Sequence, residues 1–331
     1  MASLPAGVDS PRVYASLITN LNYLPGLLTL HHSLRAARSA FPFVALYTAS
    51  LPPAGLAALA ARGIPTLLVP SVRPASARDF SASSDPRFDD TWTKLVVFSL
   101  TQFSRVVLLD CDMLVRQNMD ELMDVDLADA DPPSSPPSPS SSPSSSPSYV
   151  LAAGHACVCN PLKKPHYPPE WTPANCAFTA QHPSPLLAQS TAPLPPSTSS
   201  PSSFNAGLNS GLLVLRPSAA LYAQITAYMD LHAAEFTFPD QDLLSRLFRG
   251  RWRPLPYVYN ALKTMRADAV HAPIWRDDRV KNVHYILHPK PWDEIDGDGV
   301  WRGQDELHRW WADANEERRR EERGRGITDG M

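Results

Sequence analysis

The sequence predicts an α/β protein with a mostly parallel central sheet. Short apolar runs of strand length alternate along the chain with longer segments whose apolar residues recur near helical spacing. The run 105–109 (RVVLL) is apolar after its first residue, which is typical of a parallel strand covered on both faces. Because strands that alternate with helices are joined by crossovers of one hand, this order favours a parallel sheet with helices on its faces.

The first half of the chain repeats the strand–helix unit. A buried strand begins at residue 12, and the helical pattern behind it begins after Asn20. The second helix has proline at its start, where the missing N–H would have no helical partner. The predicted strands cover residues 12–19, 43–49, 64–70 and 105–110, and the predicted helices cover 21–40, 52–61 and 91–103.

The second half of the chain contains fewer regular patterns. Residues 210–217 predict another strand, 219–234 a helix and 240–248 a short helix. From Asp305 the pattern predicts an amphipathic helix that frays into a charged end. We therefore expect residues 293–331 to form a helical, charged C-terminal tail.

Proline is concentrated in two places. The chain has 35 prolines among 331 residues, roughly twice the usual share of about 5%. Residues 132–148 are all Pro or Ser, and residues 183–203 are also rich in both. Such tracts bury too little apolar surface to offset the entropy of ordering, so we expect two disordered insertions. A passive surface loop is the favoured interpretation, and a partner-binding or regulatory role is the alternative.

Charge and hydropathy exclude several classes of protein. Lys and Arg number 30 against 33 Asp and Glu, so the chain lacks the excess of basic residues that attracts nucleic acid or anionic lipid. No run approaches the roughly 18 apolar residues of a membrane-spanning helix, and residues 1–20 lack the pattern of a signal peptide. We expect a cytoplasmic protein whose four cysteines are thiols.

Two carboxylates stand directly after the apolar strand, in Asp110-Cys111-Asp112. Ligands of open α/β sheets bind beyond the carboxyl ends of the strands, and two carboxylates there can share one divalent cation. The alternative is a pair of solvated turn or capping residues, which most such pairs are. The uninterrupted strand before them favours a metal, because carboxylates at a buried strand end repel each other unless a positive charge lies between them.

A second candidate group is Val283-His284-Tyr285-Ile286, with Lys290 six residues after the histidine. A metal with an ammonium group nearby is a common way to hold a diphosphate. The alternatives are a hydrogen-bonded core histidine and a surface lysine. Spacing alone leaves both alternatives open.

Six stretches of the sequence occur in one order along the chain: Ile18-TNLNYLPG, Thr93-KLVVFSLTQFSRVVLLDCDMLVRQNMDEL, Phe204-NAGLNSGLLVLRPS, Phe238-PDQDLL, Leu255-PYVYN and His284-YILHPKPW. Together they resemble the family 8 glycosyltransferases, the retaining group that includes glycogenin and the plant galactinol synthases. They cover the chain from about residue 12 to 292 outside the two Pro/Ser tracts. The resemblance implies one GT-A type, Rossmann-like domain over residues 12–292 that binds a nucleotide sugar.

The resemblance also implies roles for matched residues. Asp110, Asp112 and His284 would coordinate the metal, and Lys290 would contact the diphosphate. An imidazole ligand suits Mn²⁺ better than Mg²⁺, which is the alternative ion. The residues implied to contact the nucleotide end of the donor are Thr19, Asn20, Tyr23 and Lys94, and those implied to face the transferred sugar are Asn209, Asp240 and Gln241.

The implied activity is metal-dependent transfer of a hexosyl group from a UDP-sugar to a small polyol, sugar or glycan. Retention follows from the family, by attack on the face that the diphosphate leaves or through a covalent intermediate; same-face attack is favoured. Similarity to galactinol synthases suggests UDP-galactose and myo-inositol. Two alternatives stay open: a catalytically silent sugar-nucleotide-binding or scaffold protein, and a nucleotidyltransferase. A homodimer is compatible with the sequence.

Three departures from the family pattern stand out. Residues 261–278, which correspond to the self-glucosylated region of glycogenin, contain no tyrosine. Leu287 stands where the motif of the metal-binding histidine carries a glycine, so donor binding could differ if that position needs a positive φ. Cys157, Cys159 and Cys176 could hold zinc with His155 or His166, although inert thiols are favoured because Cys-x-Cys is not the usual spacing.

Overall fold

A seven-stranded sheet forms the centre of the computed structural model, which describes residues 3–75, 91–128, 148–193 and 207–331. The strands are β1 Arg12–Ile18, β2 Phe43–Tyr47, β3 Thr66–Leu68, β4 Arg105–Leu109, β5 Met113–Val115, β6 Leu151–His155, β7 Leu208–Leu215, β8 Trp252–Pro254, β9 Ala261–Leu262 and β10 Asn282–His284. The α-helices are α1 Leu24–Ala36, α2 Pro53–Ala61, α3 Ala219–His232, α4 Pro239–Leu247 and α5 Glu306–Gly324.

The order of the central sheet is β3-β2-β1-β4-β7-β6-β8. Only β7 runs antiparallel to its neighbours β4 and β6, and the other adjacent pairs are parallel. The α/β prediction with a mostly parallel sheet is therefore confirmed. The sequence patterns did not predict β5, β6, β8, β9 and β10. These strands are short or lie outside the strand–helix repeat.

Strand β4 explains why the sheet is covered on both faces. Its five residues are all buried, and alternate residues enter different apolar clusters, since successive side chains of a strand point to opposite faces. Val106 and Leu108 pack in the cluster that includes α3 and α4, whereas Val107 and Leu109 pack in the cluster that includes α1 and α2. The uninterrupted apolar run therefore reflects burial from two sides.

A small sheet of order β5-β10-β9 lies beside the carboxyl end of β4. β10 is antiparallel to β5 and parallel to β9, with His284 opposite both Met113 and Leu262. This pairing brings the end of β10 next to the turn that follows β4. Residues that are far apart in the sequence consequently meet at one edge of the main sheet.

Several boundaries differ from the predictions. Leu21–Tyr23 forms a 3-10 turn before α1, because the Asn20 side chain accepts the backbone N–H of Asn22 and caps the turn. The helix predicted over 91–103 is a 3-10 helix, Thr91–Ser99. Further 3-10 helices are Asp120–Asp124, Pro173–Asn175, Ala177–Gln181, Leu187–Gln189, Ala233–Glu235, Tyr257–Tyr259, Lys263–Arg266 and Pro291–Glu294.

The second Pro/Ser tract is partly ordered, so the prediction of disorder over 183–203 is wrong for 183–193. Leu187–Gln189 is a 3-10 helix with Ala188 fully buried. The Gln189 amide donates to the carbonyl of Ile274 at 2.7 Å and accepts the Tyr257 hydroxyl at 2.8 Å. Apolar residues and one amide within the tract thus provide packing that proline and serine alone lack. Residues 194–203, and the first tract except Ser148, lie outside the described residues.

The C-terminal helix is part of the packed fold. Asp305 caps α5 by accepting the backbone N–H groups of Leu307 and His308, and the helix runs to Gly324 without the expected fraying. The last turns stay ordered because Arg318 and Glu322 are buried in an ion-pair group with Arg62. Among the described helices, none combines the length and apolarity needed to cross a membrane.

Candidate functional site

Three side chains that could bind a metal meet at the edge of the central sheet. Asp110 follows β4, Asp112 lies in the turn before β5, and His284 is the last residue of β10. One ligand atom from each residue lies within 4.8 Å of the others. We refer to these three residues as the Asp–His cluster. The predicted metal ligands are therefore close enough to act on one ion.

Glycine at position 211 makes room for the imidazole of the Asp–His cluster. A Cβ atom added to Gly211 would lie 2.3 Å from Cε1 of His284, far inside van der Waals contact. Any residue with a Cβ atom at position 211 would displace the ring. No sequence pattern indicated this requirement, although Gly211 lies inside the matching stretch Phe204-NAGLNSGLLVLRPS.

A chain of hydrogen bonds fixes the tautomer of His284. The backbone N–H of Gly211 donates to Oδ1 of Asn209 at 3.1 Å, and Nδ2 of Asn260 donates to the same oxygen at 2.7 Å. Oδ1 of Asn260 therefore faces Nδ1 of His284, at 2.9 Å, and accepts its proton. The lone pair of Nε2 is left to face the two carboxylates.

Asn260 is a site residue that the sequence analysis did not single out. It is buried and is the direct partner of His284. A residue that orients a metal-binding histidine through its other ring nitrogen is typical of such sites. Its signal in the sequence was weak, since Asn260 only ends the matching stretch Leu255-PYVYN.

The Asp–His cluster fits a divalent cation. Nε2 of His284 lies 3.3 Å from Oδ1 of Asp112 and 3.8 Å from Oδ2 of Asp110. A lone pair and two carboxylates converging on one region repel one another, so the arrangement favours a positive charge between them. Two carboxylates with one imidazole can bind Mn²⁺, and the imidazole makes Mg²⁺ less suitable.

Two lysines flank the Asp–His cluster. Nζ of Lys94 lies 2.9 Å from Oδ1 of Asp110 and 3.4 Å from Oδ2 of Asp240. Nζ of Lys290 donates to Oδ2 of Asp112 at 2.5 Å and to the carbonyl of Tyr285 at 2.7 Å. Both lysines were predicted to contact the donor. Each of them contacts one of the predicted metal ligands.

These neighbours set the charge states of the site. Burial alone would raise the pKa of Asp112, but the ammonium group of Lys290 outweighs it and holds that pKa well below its usual range. Burial raises the pKa of Asp110 despite the attraction of Lys94. Burial would lower the pKa of Lys94, yet Asp110 and Asp240 raise it, so this lysine stays charged.

A cavity of about 390 Å³ opens beside the Asp–His cluster. This volume lies in the range of about 300–1,000 Å³ that is typical of small-molecule sites. The Tyr23 ring meets the edge of Trp292 at 5.8 Å and lies 5.8 Å from Nζ of Lys290. The predicted site residues that line the cavity are Thr19, Asn20, Tyr23, Lys94, Asp110 and Asp112.

The remaining predicted residues adjoin the first turn of α4. Asp240 is buried beside Lys94. Oε1 of Gln241 accepts Nδ2 of Asn209 at 3.3 Å, and Gln241 also lines a second cavity, of about 190 Å³, with Trp171 and Phe238. The structure therefore brings all the predicted site residues into one connected region.

Leu287 takes the backbone conformation that glycine favours. It has φ +66° and stands between His284 and Lys290. Leu287 therefore departs from the family motif in residue type, but its φ is still positive. The loop still places Lys290 against Asp112.

Comparisons with known proteins point to one family. A family model described as "Glycosyl transferase family 8" matches residues 189–296. Galactinol synthase 1 of Arabidopsis thaliana is 24% identical over 88% of this chain and 74% of its own length. Glycogenin of Neurospora crassa is 25% identical over 91% of this chain and 34% of its own length.

Solved structures share the fold. The galactosyltransferase LgtC, in a structure with donor and acceptor sugar analogs, has a TM-score of 0.54 at 19% identity and covers 91% of this chain and 95% of its own. The glycosyltransferase GlyE of Streptococcus pneumoniae has a TM-score of 0.54 at 15% identity over 96% of this chain. This chain spans 65% of GlyE and 61% of a 24% identical protein of Acanthamoeba polyphaga mimivirus.

The matched segment, the plant and fungal relatives and the GT-A fold agree with the six sequence stretches described above. Together, the matched segment and these relatives support the interpretation of this chain as a family 8 glycosyltransferase.

Proposed function

We propose that this chain transfers a hexosyl group, with retention, from a UDP-sugar to a small polyol, sugar or glycan, and that it uses a divalent metal, preferentially Mn²⁺. The observation that carries the proposal is the Asp–His cluster beside a cavity of about 390 Å³, with Lys290 on Asp112. A diphosphate carries the charge that such a group of cationic and metal-binding side chains would recognise.

The donor is proposed to lie along the cavity. Thr19, Asn20 and Tyr23 would contact the uridine, because they line the end of the cavity formed after β1. Asp110, Asp112 and His284 would hold the cation, which would supply positive charge to a leaving diphosphate. Lys290 is held beside Asp112, where its ammonium group would stabilise the same developing charge.

The transferred sugar is proposed to lie between Lys94 and the start of α4. Asp240 would be the carboxylate nearest the reacting carbon, where it stabilises positive charge on the sugar ring, and Lys94 holds it in place. Asn209 and Gln241 are hydrogen-bonded to each other and would contact the sugar hydroxyls. The acceptor would approach from the second cavity, which Gln241 also lines.

Retention is proposed to occur by attack on the face that the diphosphate leaves. The departing phosphate oxygen would take the proton of the acceptor, so no separate base is required. Similarity to the galactinol synthases makes UDP-galactose and myo-inositol the first donor and acceptor to test.

A panel of UDP-glucose, UDP-galactose and UDP-N-acetylglucosamine tests the proposal, with released UDP as the signal and an acceptor screen on the best donor. We expect release that requires added Mn²⁺ and stops with a chelator. Asp112→Asn should lower the rate at least about 100-fold, since it removes a ligand and the partner of Lys290.

The control variant is Asp126→Asn, an exposed carboxylate outside the cavity, which should keep full activity. Unchanged activity in Asp112→Asn would overturn the metal assignment. Calorimetry that shows UDP binding without turnover on any donor and acceptor would instead favour the silent sugar-nucleotide-binding protein.

A further inference from the structure

A second group of potential metal ligands lies in the segment that follows β6. Cys157 and Cys159 come just after that strand, Cys176 lies between two 3-10 helices, and His271 follows the 3-10 helix Lys263–Arg266. Their ligand atoms all lie within 4.8 Å of one another. We refer to Cys157, Cys159, Cys176 and His271 as the Cys–His cluster. None of these residues belongs to the Asp–His cluster.

The distances from the His271 nitrogen to the three sulfurs are close to those in a tetrahedral zinc site. Nε2 of His271 lies 3.4 Å from Sγ of Cys157, 3.3 Å from Sγ of Cys159 and 3.3 Å from Sγ of Cys176. Bonds of about 2.3 Å from zinc to sulfur and about 2.0 Å to nitrogen give a tetrahedral edge of roughly 3.6 Å. The three sulfurs thus lie around the nitrogen at nearly the spacing that a bound zinc ion imposes.

Direct hydrogen bonding to His271 accounts for only part of this arrangement. One ring nitrogen offers a single proton or a single lone pair, so it can satisfy one of three thiols. Cys159, Cys176 and His271 are buried among apolar residues, and the Phe178 ring lies 5.5 Å from the His271 ring. Polar groups buried in this way are normally paired or bound to a metal.

The outer nitrogen of His271 also has the partner that a metal-binding histidine needs. Its Nδ1 lies 2.9 Å from Nε2 of His182. If Nδ1 carries the proton and donates it to His182, the lone pair of Nε2 faces the three sulfurs. His155 and His166, the histidines that the sequence suggested for zinc, do not belong to the cluster.

We propose that Cys157, Cys159, Cys176 and His271 bind one structural Zn²⁺ ion. Three sulfurs and one nitrogen within reach of one ion select zinc over Mg²⁺ or Ca²⁺, which prefer oxygen, and a closed set of four ligands indicates a structural site. The ion ties the segment after β6 to the segment around His271. Ala156, Val158 and Trp171, in the first of these segments, line the second cavity, so zinc holds that wall in place.

Metal analysis of protein purified under reducing conditions without chelators tests the site. We expect about one zinc ion per chain. The Asp110→Ala/Asp112→Ala double variant separates this site from the Asp–His cluster, and it should retain the same zinc content. Zinc lost from the double variant would place the ion in the Asp–His cluster and overturn the proposal.

Single variants test the ligands. Cys176→Ser and His271→Ala should lose most of the zinc. Two matched controls should retain it: Cys111→Ser, a buried cysteine whose sulfur contacts Ser16 and Leu17 instead, and His166→Ala, an exposed histidine of the same segment. Zinc retained in His271→Ala, or lost from both controls, would contradict the assigned ligands.

X-ray absorption of the wild-type protein gives a test that does not depend on the folding of variants. We expect about three sulfur neighbours near 2.3 Å and one nitrogen near 2.0 Å around zinc. Substitution with cobalt should give the spectrum of a tetrahedral thiolate site. Iron in place of zinc or a disulfide within the cluster would overturn the proposal. So would a protein without bound metal in which all four cysteines of the chain are free thiols.

Discussion

His284 is positioned by two features that act on a single ring. Gly211 leaves space for the imidazole, and Asn260 binds Nδ1 so that Nε2 faces the carboxylates. Gly211 lies on β7 and Asn260 lies just before β9, so both features come from residues outside β10. A change that leaves Asp110, Asp112 and His284 intact should therefore still damage the site.

Gly211→Ala is expected to lower the affinity for Mn²⁺ and the rate of UDP release by about 100-fold. The added Cβ would lie 2.3 Å from Cε1 of His284, and the ring must move away from the carboxylates. Titration of Mn²⁺ binding measures the effect. Gly154→Ala is the matched control on the neighbouring strand, because its Cβ would meet Asn260 at 3.5 Å, an ordinary contact. Equal affinities in the two variants would show that the ring is not confined at Gly211.

At the scale of elements, the loop from β10 to the 3-10 helix Pro291–Glu294 joins His284, a proposed metal ligand, to Lys290, which is proposed to contact the diphosphate. Leu287, in the middle of this loop, has φ +66°. Residues with a Cβ pay about 1–2 kcal/mol in this region of backbone conformation, whereas glycine adopts it freely. The loop therefore has, at position 287, a backbone conformation that leucine disfavours.

Leu287→Gly should be more stable than Leu287→Ala by about 1 kcal/mol, the reverse of the usual order for these residues. Both variants remove the leucine side chain, so their difference isolates the backbone. Denaturant unfolding measures it. Arg38 is a second residue with positive φ, +57°, at an exposed position away from the cavity, and the same pair of variants there should give the same order. An alanine variant more stable than glycine at both positions would refute the backbone explanation.

At the scale of the whole molecule, α5 closes the fold by returning to its first helices. Asn315 accepts the hydroxyl of Thr29 on α1 at 3.2 Å. Glu322 lies 2.8 Å from the guanidinium of Arg62, the residue that ends α2, and 2.7 Å from that of Arg318. Removing the charge of one member of this buried group leaves the other charges uncompensated.

Glu322→Gln is expected to lower the free energy of unfolding by roughly 3 kcal/mol at pH 7. Burial alone would raise the pKa of Glu322, but Arg62 and Arg318 outweigh it and lower that pKa below its ordinary value. A lowered pKa stabilises the fold above the unfolded value of about 4.3, and this stability is lost as pH falls through the folded value. The difference between wild type and variant should therefore shrink below about pH 4.

Unfolding measured from pH 7 to pH 3 checks this prediction. Glu316→Gln serves as the control, because Glu316 is exposed on the same helix and should change stability little at any pH. A difference that grows as the pH falls would contradict the role given to Glu322.

Local patterns were sufficient for the fold class, the strand–helix repeat and the carboxylates after β4. An apolar run covered on both faces has a signature within a few residues, and Asp110 and Asp112 follow it directly. Family motifs then identified His284, Lys290 and the residues around the cavity, which the structure brings together. Patterns of this kind need no knowledge of distant contacts.

The sequence by itself determined the α/β class and the composition of the Asp–His cluster. The tertiary structure decided which distant residues complete the sites: Gly211 and Asn260 around His284, and His271 with the three cysteines. It also decided that residues 183–193 and the end of α5 are ordered, where composition predicted disorder or fraying. The physical reason is that these outcomes depend on contacts between strands and loops far apart in the chain, whereas periodicity and composition report only on neighbours along it.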